Sequence, residues 1–275
     1  MKPKQIDLKD FVKEPNRRKV QLENLNAKQG FTFEDDKLLA IRKKIEAAGV
    51  PLGEIEGVSI SNGIFTGCNR VFIVDKDVIS KINQELIGEV IFKTLNGKDV
   101  EKYRVKYADR YMIMIPKGYT NKYGVNKIKD LIKLLEEMDR LGSKSCKHRS
   151  KDYVGDYWYE NSNTEKVLGK FKHSVRWQEI NESSTFVYVD EMILGNDKLP
   201  MINGEDIIYM VGILNSKIIN SIAKKAYVMD GLGKSNYWKV TCVKRIPIVI
   251  PKESTKLRLE KLVEKIQQLK KEDKP

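Results

Sequence analysis

The chain has 275 residues, 41% of them hydrophobic, so it is long enough to bury one large core or two modest ones. Its formal net charge of +13 makes a polyanion the natural first partner, although a basic excess also occurs in proteins that bind no nucleic acid. No run of 18 apolar residues exists to cross a bilayer, and "MKPKQIDLKDFVKEPNRRKV" lacks the apolar centre of a secretory signal, so the expectation is a cytoplasmic chain without a membrane partner.

Residues 1–34 are polar and basic with little periodicity and read as a lead-in or linker. "FEDDKLLAIRKKIEAAGVPLG" predicts a helix. Asp35 or Asp36 is its cap, Leu38, Leu39, Ile41 and Ile45 form its apolar face, and Gly49 with Pro51 ends it. From Val58 to Ile115 short β-rich runs follow, "GVSI", "VFIV", "GEVIFKTL" and "YRVKYADRYMIMI", separated by turn-prone "SNG", "NGKD" and "PKG". "VNKIKDLIKLLEEMDRLG" returns to helical spacing, with Ile128, Leu131, Leu135 and Met138 as a core stripe and Asn126 as a possible cap.

Between Ser143 and Trp177 basic residues interleave with aromatics, and Trp158 and Trp177 fit core positions better than stacking platforms. "STFVYVDEMIL" predicts another strand, "GEDIIYMVGILNSKIINSIAKKAY" one long apolar helix, and "GLGKSNYWKVTCVKRIPIVIP" a loop and a strand. The mixture predicts an α+β fold with a mixed sheet. In the last segment, 252–275, Leu259, Leu262, Ile266 and Leu269 follow coiled-coil spacing. They imply either a partner helix or a helix lying on its own domain.

Chemistry is sparse. Three widely spaced cysteines without a CxxC support neither a disulfide nor structural zinc, and "CKH" at Cys146 to His148 supplies at most two metal ligands. "GLGKS" imitates the end of a phosphate-binding loop, but Val228 stands where its first glycine belongs. The chain has no GxGxxG, GxSxG or HExxH, no Pro-Pro pair for an adenine-methylating loop, and only two histidines. The expectation is therefore a chain with no catalytic, metal or cofactor-binding residue of its own. The alternatives are a divergent metal-dependent nuclease using Asp190, Glu191, Asp197 and Lys198 of "DEMILGNDK", or a general nucleic-acid-binding assembly module.

The order of several short motifs is more informative. "GVPLGEIEGVSISNGIFTGCNRVFIVD", "TLNGKDVEKY", "DYWYE", "VRWQEINESSTFVYVD", "GILNSKIINSIAKK" and "VKRIPIVIP" succeed one another across 35–251. In that order they resemble the TaqI-like C-terminal specificity domain of adenine DNA methyltransferases and single-chain restriction–modification enzymes. The resemblance implies a target-recognition domain at 35–251 that binds a specific double-stranded DNA sequence. It also implies a separate methyltransferase catalytic domain or subunit as partner, which would hold S-adenosylmethionine.

Within the first motif, Gly67 permits a positive φ and Asn69 is suited to a turn. Thr66 reads as structural there, while Asn69 belongs to the expected DNA contacts. Asp99 and Tyr103 fit as supports of the "NGKDVEKY" turn. Arg70 and Lys98 are the expected phosphate contacts, and Arg149, Lys151, Lys172 and Arg176 the expected base or phosphate contacts.

Overall fold

A computed structural model describes residues 36–162 and 168–272, so the expected lead-in at 1–34 lies outside the described residues. Helix α1 (Asp36–Ala48) forms where its periodicity places it and stops at Gly49, whose amide donates to the Ile45 carbonyl at 2.8 Å. Its stripe is only partly covered: Leu38, Leu39 and Ile45 are half-buried, while Ile41 faces solvent.

Among the described residues, two four-stranded sheets organise the fold. The first runs in the order β12 (Val187–Val189), β10 (Ser174–Arg176), β14 (Met201–Asn203) and β2 (Ser59–Ser61), all antiparallel. The second runs β13 (Leu194–Gly195), β4 (Ile91–Leu95), β7 (Arg110–Ile113) and β3 (Ile73–Asp75), with β13 parallel to β4 and the other pairs antiparallel. Smaller pairings join β1 (Val50–Pro51) to β17 (Pro247–Ile248), β5 (Val100–Glu101) to β6 (Arg104–Val105), and β8 (Ile115–Pro116) to β9 (Glu160–Asn161). A three-stranded patch has β16 (Asn236–Tyr237) between β11 (Ile180–Asn181) and β15 (Met229–Asp230). The expected α+β class is the observed one.

Each sheet has its own core. Val175, Trp177 and Ile202 pack with Met210 and Leu214 of α6 (Ile208–Leu214), with Trp238 and with Val263 of α9 (Glu253–Lys271). On the other side, Phe72, Ile91 and Ile113 pack with Leu131 and Leu135 of α5 (Lys129–Arg140). Ile64, Met112, Leu194 and Met201 form a third cluster, in which side chains from both sheets meet. Ile64 belongs to the "SNGIFTGCNRVFIVD" motif, so that motif sits over the junction of the sheets.

The structure corrects four local expectations. Val71 and Phe72, placed in a strand by their β propensity, lie in the single turn α2 (Asn69–Phe72), whose Val71 and Phe72 amides donate to the Cys68 carbonyl. That turn puts both side chains fully into the second core, and burial overrides propensity. Asn126 lies inside a 3₁₀ turn, 125–128, and α5 begins only at Lys129.

The long helix predicted over 204–227 is broken into α6 and α7 (Lys217–Ala226). Asn215 ends the first and Ser216 caps the second by accepting from the Ile219 amide at 3.2 Å. Asn215 is held there because its side-chain amide pairs with both backbone groups of Phe186, at 3.0 and 2.7 Å. Finally, Cys68 and Cys146, 78 residues apart in sequence, are joined by a disulfide with Cα atoms 5.9 Å apart, while Cys242 is buried and free. Pairing at that separation depends on α2 meeting the loop after α5, which spacing does not reveal.

Helix α9 lies along α6. Leu259 and Val263 face inward, and Gly212 leaves the room, since a Cβ there would sit 3.3 Å from Val263 Cγ2. Leu262 of the same stripe stays 54% exposed. Gln267 on α9 repeats the Asn215 device, pairing with both backbone groups of Tyr188 at 2.9 and 3.0 Å. These two amides occupy backbone groups at the outer edge of β12, which would otherwise offer itself to another strand.

Candidate nucleic-acid interface

Three loops meet above the junction of the sheets: the first-motif turn at 63–69, the turn at 96–98 and the loop at 195–198. The Ile64 amide donates to the Gly195 carbonyl at 2.7 Å. Gly63 lies so close that a Cβ would fall 2.1 Å from the Asn196 carbonyl oxygen, a contact only glycine avoids. Gly67 has φ +72°, the left-handed conformation its type suggests. Asn196 then reaches across, its side-chain amide donating to Asn96 Oδ1 at 3.0 Å. The turn carrying Asn96 is closed by buried Asp99, which accepts from the Asn96 amide at 2.7 Å and pairs with Arg110. Asp99 thus supports the turn as expected of it, and Lys98 projects from that turn into solvent.

On this frame Thr66 orients Asn69. Thr66 is 1% exposed and its hydroxyl oxygen accepts from the Cys68 amide at 3.0 Å, so its proton is directed to Asn69 Oδ1, 2.7 Å away. The Asn69 amide nitrogen then faces Asp197 and donates to its Oδ1 at 3.2 Å. Lys198 Nζ lies 3.9 Å from Asp197 Oδ2 and 3.5 Å from Glu179. Phe65, Thr66, Gly67, Asn69, Tyr153 and Asp197 line a cleft of about 250 Å³ at this point. Phe65 is 48% exposed beside the Tyr153 ring, their centroids 6.3 Å apart.

The structure separates the seven expected contact residues into two groups. Asn69, Lys98, Lys151 and Lys172 are exposed. The three arginines are instead committed to backbone carbonyls. Arg149 donates to the carbonyls of Thr66, Trp158 (2.9 Å) and Glu160 (2.6 Å) and to Asn161 Oδ1 (2.9 Å), with its guanidinium 4.3 Å from the centre of the Phe72 ring. Burial lowers its pKa to about 10.

Arg176 is fully buried, donates to Ser174 Oγ and to the Phe171 and Leu194 carbonyls, and burial lowers its pKa to about 9. A side chain without exposed atoms does not reach a base edge, so Arg176 leaves the set of groups able to touch a duplex. Arg70 keeps 37% of its side chain exposed but donates to the carbonyls of Met138 and Lys144 and pairs with Asp139, closing the C-terminal end of α5. Local sequence carried no sign of this, because a clamping arginine and a DNA-facing one are the same letter. Trp177 is core, as expected, its indole nitrogen donating to the Trp238 carbonyl at 2.7 Å, and Trp158 is half-buried.

The nuclease set does not assemble. Asp190 and Glu191 line a cleft beside Tyr188 and Gln267, whereas Asp197 and Lys198 stand beside Asn69 and Glu179. Among the described residues no group of three or more His, Cys, Asp or Glu is placed to hold a metal ion. No helix among them is long and apolar enough to cross a membrane.

Beneath the interface, Glu160 ties the 155–160 loop to the start of α4 (Tyr119–Tyr123). Its carboxylate accepts from the amides of Gly118 (3.0 Å), Thr120 (3.0 Å) and Asp156 (2.9 Å). Burial pushes its pKa up, but the amides more than offset this and hold it below the ordinary value of 4.5. With the folded pKa depressed, the unfolded chain takes the proton first. The contribution to stability is present above the unfolded pKa and is lost as pH falls through the folded one. Urea midpoints measured from about pH 5 down to about pH 3 should fall for the wild type and less steeply for Glu160→Gln, which should already be weaker at pH 7 by roughly 1–3 kcal/mol. Parallel slopes would remove Glu160 from the acid response.

Comparison with known proteins adds three findings. A family model described as the TaqI-like C-terminal specificity domain matches residues 92–248. Among solved structures, the type IIG restriction endonuclease BpuSI aligns at a TM-score of 0.54 with 10% identity, covering 83% of this chain and 28% of that one. The type IIL restriction–modification enzyme MmeI, solved in complex with DNA, aligns at 0.52 with 13% identity, covering 81% and 29%. At such identities the likeness is one of fold, and the chain spans less than a third of either enzyme. No curated protein matches the chain in sequence.

Proposed function

Because the chain belongs to the TaqI-like C-terminal specificity domain family, we propose that it is the sequence-reading part of a restriction–modification system and carries out no chemistry itself. The observation that carries this reading is the family match across 92–248, which includes Tyr153 and Asp197 of the cleft beside Asn69. Lys98, Lys151 and Lys172, all exposed, would meet phosphates and set the register on double-stranded DNA, while polar groups in the cleft would meet base edges. An adenine methyltransferase domain or subunit, with or without an endonuclease, would be the catalytic partner and would hold S-adenosylmethionine.

The division of the chain follows the same reading. Residues 1–34 would lead in from that partner, 35–251 would recognise DNA, and 252–275 would act as a spacer or partner helix through Leu257 and Leu262, 48% and 54% exposed on α9. The test is selection from a random duplex library at physiological salt, repeated with the catalytic partner restored. One enriched sequence supports the proposal, and failure to enrich any sequence in both formats rejects it. Nicking of plasmid by this chain with magnesium would instead favour the nuclease alternative.

A further inference from the structure

We infer that Asn69 and Asp197 together read one A·T pair of the recognised sequence, with Thr66 fixing the orientation of the reading amide. This rests on the recognition function proposed above. With the three arginines committed to backbone carbonyls, base reading falls to other polar groups, and this pair is the best prepared of them. Asn69 is exposed, yet its amide has no freedom to flip, because the buried Thr66 hydroxyl donates to Oδ1. One Nδ2 hydrogen goes to Asp197 and the other remains for a ligand. Asp197 offers acceptor lone pairs beside it.

Donor and acceptor side by side match the major-groove edge of adenine, whose N7 accepts and whose N6 amine donates. A carboxylate at this place makes no sense as a phosphate contact, since it repels the backbone; it does make sense as an acceptor for an exocyclic amine. The pair is also rigidly mounted, although its members lie 128 residues apart in sequence. The 195–198 loop is locked to the 63–69 turn through the Ile64 amide and the close approach at Gly63. Positioning of this kind is what a reading group requires.

Asp197→Asn keeps the shape and exchanges one acceptor for a donor, and Asn69→Ala removes an exposed side chain, so both variants should fold. Each is passed through the duplex-library selection beside the wild type. The inference predicts that preference at one A·T position of the wild-type sequence falls roughly tenfold or more in both variants, while the other positions keep theirs. It is overturned if both variants select the wild-type sequence unchanged, if the altered position is a G·C pair, or if Asp197→Asn merely binds every duplex more tightly. A wild-type chain that enriches nothing, alone and with the catalytic partner restored, rejects the recognition function itself, and this inference falls with it.

Discussion

Arg176→Ala is expected to destabilise the fold by roughly 2–5 kcal/mol, read as a lowered urea midpoint. The guanidinium is fully buried and holds three neutral oxygens, Ser174 Oγ at 3.0 Å, the Phe171 carbonyl at 2.6 Å and the Leu194 carbonyl at 3.3 Å. Truncation leaves two buried carbonyls without this donor and opens a cavity beside Phe171, and each effect alone is worth more than 1 kcal/mol by order of magnitude. Because Ser174, Phe171 and Leu194 lie on segments that join β10 to the second sheet, the loss should be global. An unchanged midpoint together with weakened DNA binding would return Arg176 to the contact surface.

Arg149→Ala should be about as damaging, again roughly 2–5 kcal/mol. Its fork fastens the 158–161 segment to the Thr66 carbonyl, so removal frees both the aromatic loop and the turn that orients Asn69. Arg149→Lys should recover little, because a single ammonium does not span carbonyls at Thr66, Trp158 and Glu160. The salt dependence of DNA binding separates this from phosphate contact. A clamping arginine leaves the slope of affinity against salt unchanged in the folded fraction, whereas loss of a phosphate contact reduces it by about one.

Much of the fold is legible in the sequence because amphipathic periodicity is a local property. Helices α1, α5 and α9 lie where apolar residues recur every three or four positions, and the strands around Ile91 and Met112 lie where β-branched and aromatic residues concentrate. The break between α6 and α7 is not legible, since the apolar pattern runs through Asn215 and Ser216. What ends the helix is the claim of Phe186, 29 residues earlier, on the Asn215 amide.

Reading the site met the same boundary. The positive φ of Gly67 follows from residue type and context, but the need for glycine at 63 comes from Asn196, more than a hundred residues on. Charge shows that an arginine is cationic and says nothing of whether carbonyls from other loops will surround it, so Arg149 and Arg176 read as surface. Asp197 reads in sequence as one member of a nuclease set, until the fold separates it from Asp190 and Glu191 and places it against Asn69.

The central claim is that this chain distinguishes one DNA sequence from others by groups that reach base edges, and not only by its charge. The affinity ratio between the selected duplex and a scrambled one of equal length, followed as salt is raised, tests this most directly. The account predicts that both affinities fall steeply while the ratio persists, since phosphate contacts are lost to salt and base contacts are not. A ratio near one at every salt concentration would contradict it.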